Sequence, residues 1–328
     1  MKKAVLVQKN RWVRFMLPAV FAPAVIFVLG CGTGSSVTAT GGTQADEAAV
    51  LTALESEEFF TDSVTDTSID EEAAAAAGAQ VSSSQLSLLS LPADGGTAQL
   101  PLFWWRGQME RLGREIDIHI QDGSAFVTVV CDVAGTFFIA DEVGGTMVLW
   151  GKPFEDLVTR HASFEKTSSG WVLSAVSPVE FALADADLQT VFIRGLRAYV
   201  GEELVWETVD PAALFSVPEG IPTFSRGDQV RVEASIANAS DPGWEPPQFV
   251  FLHHPGHRTD GRRSRDLMFD DGTNGDVLAG DGVYTRVYTI GPCGGRHFAA
   301  VDVIDSTTFM VADAPYNSTA WGMPYIVR

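Results

Sequence analysis

The chain has 328 residues, 46% of them hydrophobic. That excludes wholesale disorder and leaves room for about two folded units. Asp and Glu number 42 against 22 Lys and Arg, a net charge of −20; no nucleic-acid partner is expected, because such a partner needs a basic surface to displace phosphate counterions. Three cysteines cannot build a disulfide framework.

Residues 1–30 read as an export signal. Lys2, Lys3, Lys9, Arg11 and Arg14 precede an uncharged run from Phe15 to Leu29. The run is shorter than the ~20 residues of a membrane-spanning helix and suits a signal-peptide apolar region. It ends Val28-Leu29-Gly30-Cys31, which resembles a bacterial lipobox. The resemblance implies cleavage before Cys31, a thioether lipid on its sulfur and a fatty acyl group, such as palmitate, on its new amine. Gly32, rather than Asp, follows the cysteine, a pattern that in two-membraned bacteria implies an outer-membrane address. The implied partner is the membrane, reached through the lipid anchor, and the implied location is the cell envelope. Removal of residues 1–30 takes away five basic residues and no acid.

Residues 31–45 are rich in Gly, Ser and Thr and carry no charge, the composition of a flexible tether. Residues 46–98 form the next section. Ten acids fall within 46–72, and Val50, Leu51, Leu54 and Phe59 stand near helical spacing, so an acidic helix is expected over Asp46–Phe60 and linker over most of the remainder. Residues 99–187 change texture. Ile116–Ile120 alternates apolar and polar, Gln121–Ser124 has turn chemistry, and Ala125–Val130, Val158–Lys166 and Trp171–Phe181 read as antiparallel strands. An acidic helix, Trp104-Trp105, long strands, and then Phe164, Trp171, Leu173 and the Ser177-Pro178 exit together resemble the nuclear-transport-factor-two-like cone, a bent sheet around helices.

Residues 188–328 read as a second β unit. Val191–Val200, Gln229–Asn238, Gln248–His254, Asp266–Phe269, Val283–Ile290 and His297–Ile304 are the expected strands, separated by Pro and Gly clusters; the number and length suit a sandwich. The stretch MFDDGTNGDVLAGDGVYTRVYTI, residues 268–290, resembles a loop of immunoglobulin-like modules in bacterial envelope proteins. The expected fold class is therefore mainly β with a small α+β part: a cone-like antiparallel curved sheet followed by an immunoglobulin-like β-sandwich.

That loop holds the densest chemistry in the chain. Asp270, Asp271, Asn274, Asp276 and Asp281 bring five oxygen-bearing side chains into twelve residues, with three glycines between them and a fourth, Gly282, directly after. Calcium takes six to eight oxygens in flexible geometry, so Ca²⁺ is one reading, with Asp270 and Asp276 better placed than Asp271. The other is that these aspartates cap turns by accepting from backbone N–H groups. The spacing is not that of an EF-hand. Nearby, Arg258, Arg262, Arg263 and Arg265 form a basic cluster. It suits a solvated hairpin, direct neutralisation of the acidic loop, or a contact patch for an anionic glycan or protein partner. His253 and His254 are adjacent, hence on opposite faces of a strand, which disfavours zinc. A disulfide between Cys131 and Cys293 is not expected.

No G-x-S-x-G, H-E-x-x-H or phosphate-loop motif occurs. The expectation is a non-catalytic cell-envelope lipoprotein that acts as a surface binding or scaffolding module. The alternative is a small-ligand binder or enzyme with a pocket in the cone-like part, lined by His119, Asp132 or His161.

Overall fold

The computed structural model describes residues 35–60, 100–143, 146–240, 243–255 and 263–328. The signal segment, Cys31, most of the expected linker, Arg258 and Arg262 lie outside them. The chain is mainly β. Its strands are β1 (Ser35–Thr40), β2 (Phe103–Gln121), β3 (Ser124–Val143), β4 (Thr146–Thr167), β5 (Gly170–Val176), β6 (Val179–Leu183), β7 (Val191–Val200), β8 (Glu203–Thr208), β9 (Phe215–Ser216), β10 (Thr223–Phe224), β11 (Gln229–Asn238), β12 (Gln248–Pro255), β13 (Arg263–Leu267), β14 (Val283–Thr289), β15 (Gly295–Asp305) and β16 (Ser318–Val327). Among the described residues two α-helices accompany them, α1 (Gln44–Ser56) and the short α2 (Ser306–Met310).

Among the described residues the strands form two sheets. The larger runs β1-β2-β3-β4-β6-β16-β15-β12-β13, with β5, β9 and β10 attached at its sides; the smaller runs β14-β11-β7-β8. The pairing is antiparallel except at β1–β2 and β10–β16, which are parallel.

β2, β3 and β4 have 19, 20 and 22 residues, several times the usual strand length of about five or six. Strands this long must bend, and the bend has visible causes. β2 is bulged between Gly107 and Glu110 and again between Arg111 and Gly113, and bulges increase local twist. Opposite the first bulge, the Phe154 ring lies against Gly135, where an added Cβ would come within 2.7 Å of it. The bend divides the inner face into two cores. One contains Ile116, Ile118, Val127, Val129, Val158 and Phe164, closed by Val50, Leu54, Phe59 and Phe60 from α1 and the 3₁₀ turn Glu58–Phe60. The other contains Trp104, Phe137, Ile139, Phe154, Phe249, Phe251, Phe309 and Tyr316. Each fully buried large apolar side chain contributes about 1.5–3 kcal/mol.

α1 begins at Thr43, whose hydroxyl accepts from the Asp46 amide at 3.2 Å. Its acidity is met by neighbouring cations: Lys166 pairs with Asp46 at 2.5 Å, and Arg296 pairs with Glu57. The Lys166 and Thr43 hydrogen bonds hold the Asp46 carboxyl below the usual carboxylate range.

The smaller sheet packs on β12, β15 and β16 as a sandwich, around Leu196, Trp206, Val230, Val232, Leu252, Val301 and Tyr325. Two expectations need correction. Residues 35–40 of the expected tether form β1, because Val and Thr are good strand residues and the open edge of β2 offers them hydrogen bonds; Thr38 and Thr40 also bond Asp117 and His119 at 3.0 and 2.9 Å. The expected boundary at 187/188 does not divide the backbone. β6 is hydrogen-bonded to β16, with Trp321 opposite Glu180, and the described residues on both sides of that boundary belong to one compact unit.

Candidate functional site

The aspartate loop joins β13 to β14. Phe269 and Thr285 bridge its base by mutual backbone hydrogen bonds. Beyond them Asp270 turns its carboxylate inward: Oδ1 accepts from the amides of Gly280 at 2.7 Å and Asp281 at 3.1 Å, and Oδ2 accepts from Gly282 at 2.9 Å. Asp276 Oδ2 accepts from Gly272 N at 2.7 Å. Asp281 Oδ1 accepts from Val283 N at 2.9 Å. Gly275 has φ +96°, and a Cβ there would lie 3.0 Å from Val287, so the crossing over β14 requires glycine.

These turns gather Asp270, Asp276 and Asp281, each presenting a carboxylate oxygen within 4.8 Å of the others. Asp271 is outside this group and exposed; its Oδ1 accepts from the Thr273 amide and hydroxyl at 2.8 and 2.6 Å. Asn274 is also exposed, at φ +53°, and its amide bonds the Thr273 hydroxyl. Of the four aspartates expected as ligands, three converge. Both readings of the loop thus keep a physical basis: every aspartate accepts backbone N–H groups, and three of them still share one small volume. Carboxylate oxygens gathered in this way are what a hard cation takes.

Arg265 does not reach this loop. Its guanidinium lies 3.6 Å from the centre of the Trp104 ring and its Nη1 donates to the Trp104 carbonyl at 3.3 Å. It belongs to the seam of the large sheet. Trp104 itself is 3% exposed, and Trp105 stacks on Phe138 at 5.1 Å, so both rings are engaged in packing.

The seam carries the second concentration of chemistry. β2 stands near one end of the large sheet and β12 and β13 at the other, yet Trp104 meets Phe251 at 4.9 Å. The sheet has therefore curled until its ends touch. Inside the curl, Arg106 forks onto Asp302, Nη1 to Oδ2 at 2.8 Å and Nη2 to Oδ1 at 2.9 Å, and also donates to Tyr316 Oη at 2.8 Å and Ser318 Oγ at 3.1 Å. His253 Nε2 lies 3.2 Å from Asp302 Oδ2. Asp302 is 2% exposed. Burial opposes its ionisation, but the Arg106 guanidinium and His253 hold it well below the usual carboxylate range. Burial pushes the Tyr316 hydroxyl far up.

The sequence reading did not assign this network, because its members lie up to 212 residues apart. A trace was present: Asp302 interrupts the apolar run Phe298–Ile304, and Arg106 follows the paired tryptophans. A charge inside an apolar strand is rare unless it has a partner. His254, on the opposite face from His253, bonds Asp266 at 3.1 Å; that hydrogen bond holds the Asp266 carboxyl down against its burial.

The residues offered for a pocket in the cone-like part do not converge. His119 bonds Thr40 and is exposed, whereas His161 bonds Thr128 at 3.0 Å and stacks on Phe126. Burial lowers the His161 imidazole. Asp132 alternates with the buried Cys131 and Val133, so it too is on the outer face. On the inner face, Phe60, Arg111, Arg114, Cys131 and Arg160 line a cavity of about 20 Å³, room for a water molecule or so and too little for an organic substrate. Cys131 and Cys293 are not joined in a disulfide.

No protein-family model matches the chain, and no curated protein matches it.

Proposed function

We propose that this chain is a non-catalytic envelope lipoprotein, anchored through lipid on Cys31, whose β body serves as a surface binding or scaffolding module. The observation that carries the reading is Val28-Leu29-Gly30-Cys31 placed directly after a basic and then an apolar segment. Its support in the fold is that the first described strand begins at Ser35, downstream of the cysteine, so cleavage before Cys31 would leave the described body whole. Several acyl chains hold a protein on a bilayer stably, because each buried CH₂ contributes about 0.8 kcal/mol and one chain alone is marginal. The test is fractionation and mass spectrometry of the protein from a bacterial host. The wild type is expected in the membrane fraction with a lipidated N-terminal cysteine. Cys31→Ala is expected to retain residues 1–30 and carry no lipid. A wild-type chain still beginning at Met1, with the Cys31 thiol bare, rejects the anchor.

In the same reading the loop of Asp270, Asp276 and Asp281 takes Ca²⁺ at the weak affinity of extracellular modules, about 10⁻⁴–10⁻³ M. The cation would relieve the repulsion of three gathered carboxylates and fix the β13–β14 connection. Calorimetric titration of the mature protein tests this independently of the anchor. At a tenfold excess over Kd the expected gain in stability is about 1.4 kcal/mol. No heat and no shift in Tm at millimolar Ca²⁺ leaves the aspartates as turn caps alone.

A further inference from the structure

The interior of the curl contains one carboxylate whose hydrogen bonding is incomplete. Asp156, on β4, is 7% exposed, and its Oδ1 has no hydrogen-bond partner. A buried polar atom in that state calls for an explanation. Its register partners, Val133 on β3 and Leu183 on β6, are apolar. The charged groups that act on it most come from other elements, Arg106 from β2 and Asp302 from β15; Arg111 of β2 stands in the same register row beyond Val133, and Arg160, also on β4, gives its Nη1 to the Phe59 carbonyl at 2.8 Å. Tyr316, ahead of β16, is in turn affected by it. His253 of β12 approaches Asp302. On its own strand, Lys152 is committed elsewhere, donating to the carbonyls of Val311 and Ala314 at 2.6 and 2.5 Å beyond α2, with Asp313 close by. The fork of Arg106 is already given to both oxygens of Asp302. An ionised Asp156 would therefore put a second buried carboxylate against one guanidinium, and an uncompensated buried charge is strongly unfavourable.

We propose that Asp156, together with Arg106 and Asp302, forms an interior proton-binding site that governs closure of the curled sheet. With a solvent proton on Asp156, one carboxylate balances one guanidinium and β2 stays locked to β15. When the proton leaves, two carboxylates face that guanidinium and the seam loosens. The surroundings agree: burial pushes Asp156 up to about 7, Asp302 adds to the rise, and Arg106 opposes it. Between the ordinary carboxylate range and about pH 7 the folded chain keeps a proton that the unfolded chain has released, so stability falls as pH rises through that interval and levels off above it.

The experiment uses the full mature protein. Infrared difference spectra between about pH 5.5 and 8.5 are expected to show a protonated-carboxyl C=O band at the lower pH that Asp156→Asn lacks. In urea, the unfolding constant of the wild type is expected to rise by about tenfold or more relative to that of Asp156→Asn across the same interval. Amide exchange in β2 and β15, corrected for intrinsic rates, is expected to accelerate at the higher pH in the wild type alone. If no such band exists at pH 5.5, or if the two proteins share one pH slope, the proposal is overturned. The wild-type spectra alone decide the matter where the variant does not fold.

Discussion

Asp270 organises the far side of its loop with a single carboxylate that accepts three amides. Removing it leaves those N–H groups to find water or strain, so Asp270→Ala is expected to lower stability by about 2 kcal/mol, measured as a shift in urea midpoint at constant slope. Asp271 bonds only Thr273 and is exposed; Asp271→Ala is expected to cost less than about 1 kcal/mol. Asp302→Ala belongs to a harsher class. It strands the buried Arg106, and a loss of about 3–5 kcal/mol is expected, read by the same measurement. The aspartate loop was legible in the sequence because its residues are neighbours and its Asp-Gly pairs announce turns. The Arg106–Asp302 pair was not legible, because nothing local in either strand says which distant charge will meet it.

At the level of elements, alternation and turn chemistry located the turn between β2 and β3 and the end of β4, but not how far these strands run. β2 passes through Gly107 and Gly113, where its register to β3 shifts, and β3 through Gly135, which leaves room for the Phe154 ring. β16 went unread for a related reason. It contains Gly322 and Pro324, residues that normally argue against a central strand, yet it pairs with β15, β6 and β10. β1 was hidden by composition, since a Ser- and Thr-rich run reads as solvated chain until an open strand edge lies beside it. The acidic helix was readable from spacing, but its start was not: it begins at Gln44, two residues ahead of the expected Asp46, with Thr43 as its cap. Thr43→Ala is expected to remove the cap and lower stability by about 1 kcal/mol, with the helical signal in circular dichroism lost at lower urea than in the wild type.

For the whole molecule, the continuity of the large sheet decides how it unfolds. β6 and β16 share hydrogen bonds across the expected domain boundary, and Arg296 of β15 holds Glu57 behind α1. Calorimetry of the mature protein is therefore expected to give one cooperative transition, with calorimetric and van't Hoff enthalpies in agreement. Residues 188–328 expressed alone would expose the flank of β16 that β6 covers and are expected not to fold. Two resolved transitions would show that the halves are thermodynamically separate despite their common sheet.

Were Cys31 to carry the proposed lipid, the position of β1 would also set how high the protein rides. Only three residues separate Cys31 from Ser35, and at about 3.6 Å per step that leash spans at most ~14 Å. Ser35 lies opposite Arg114, so with acyl chains on the cysteine that corner of β2 is moored against the lipid headgroups. The body then cannot swing freely above the bilayer, and whatever it engages must come to it within a short distance of the surface.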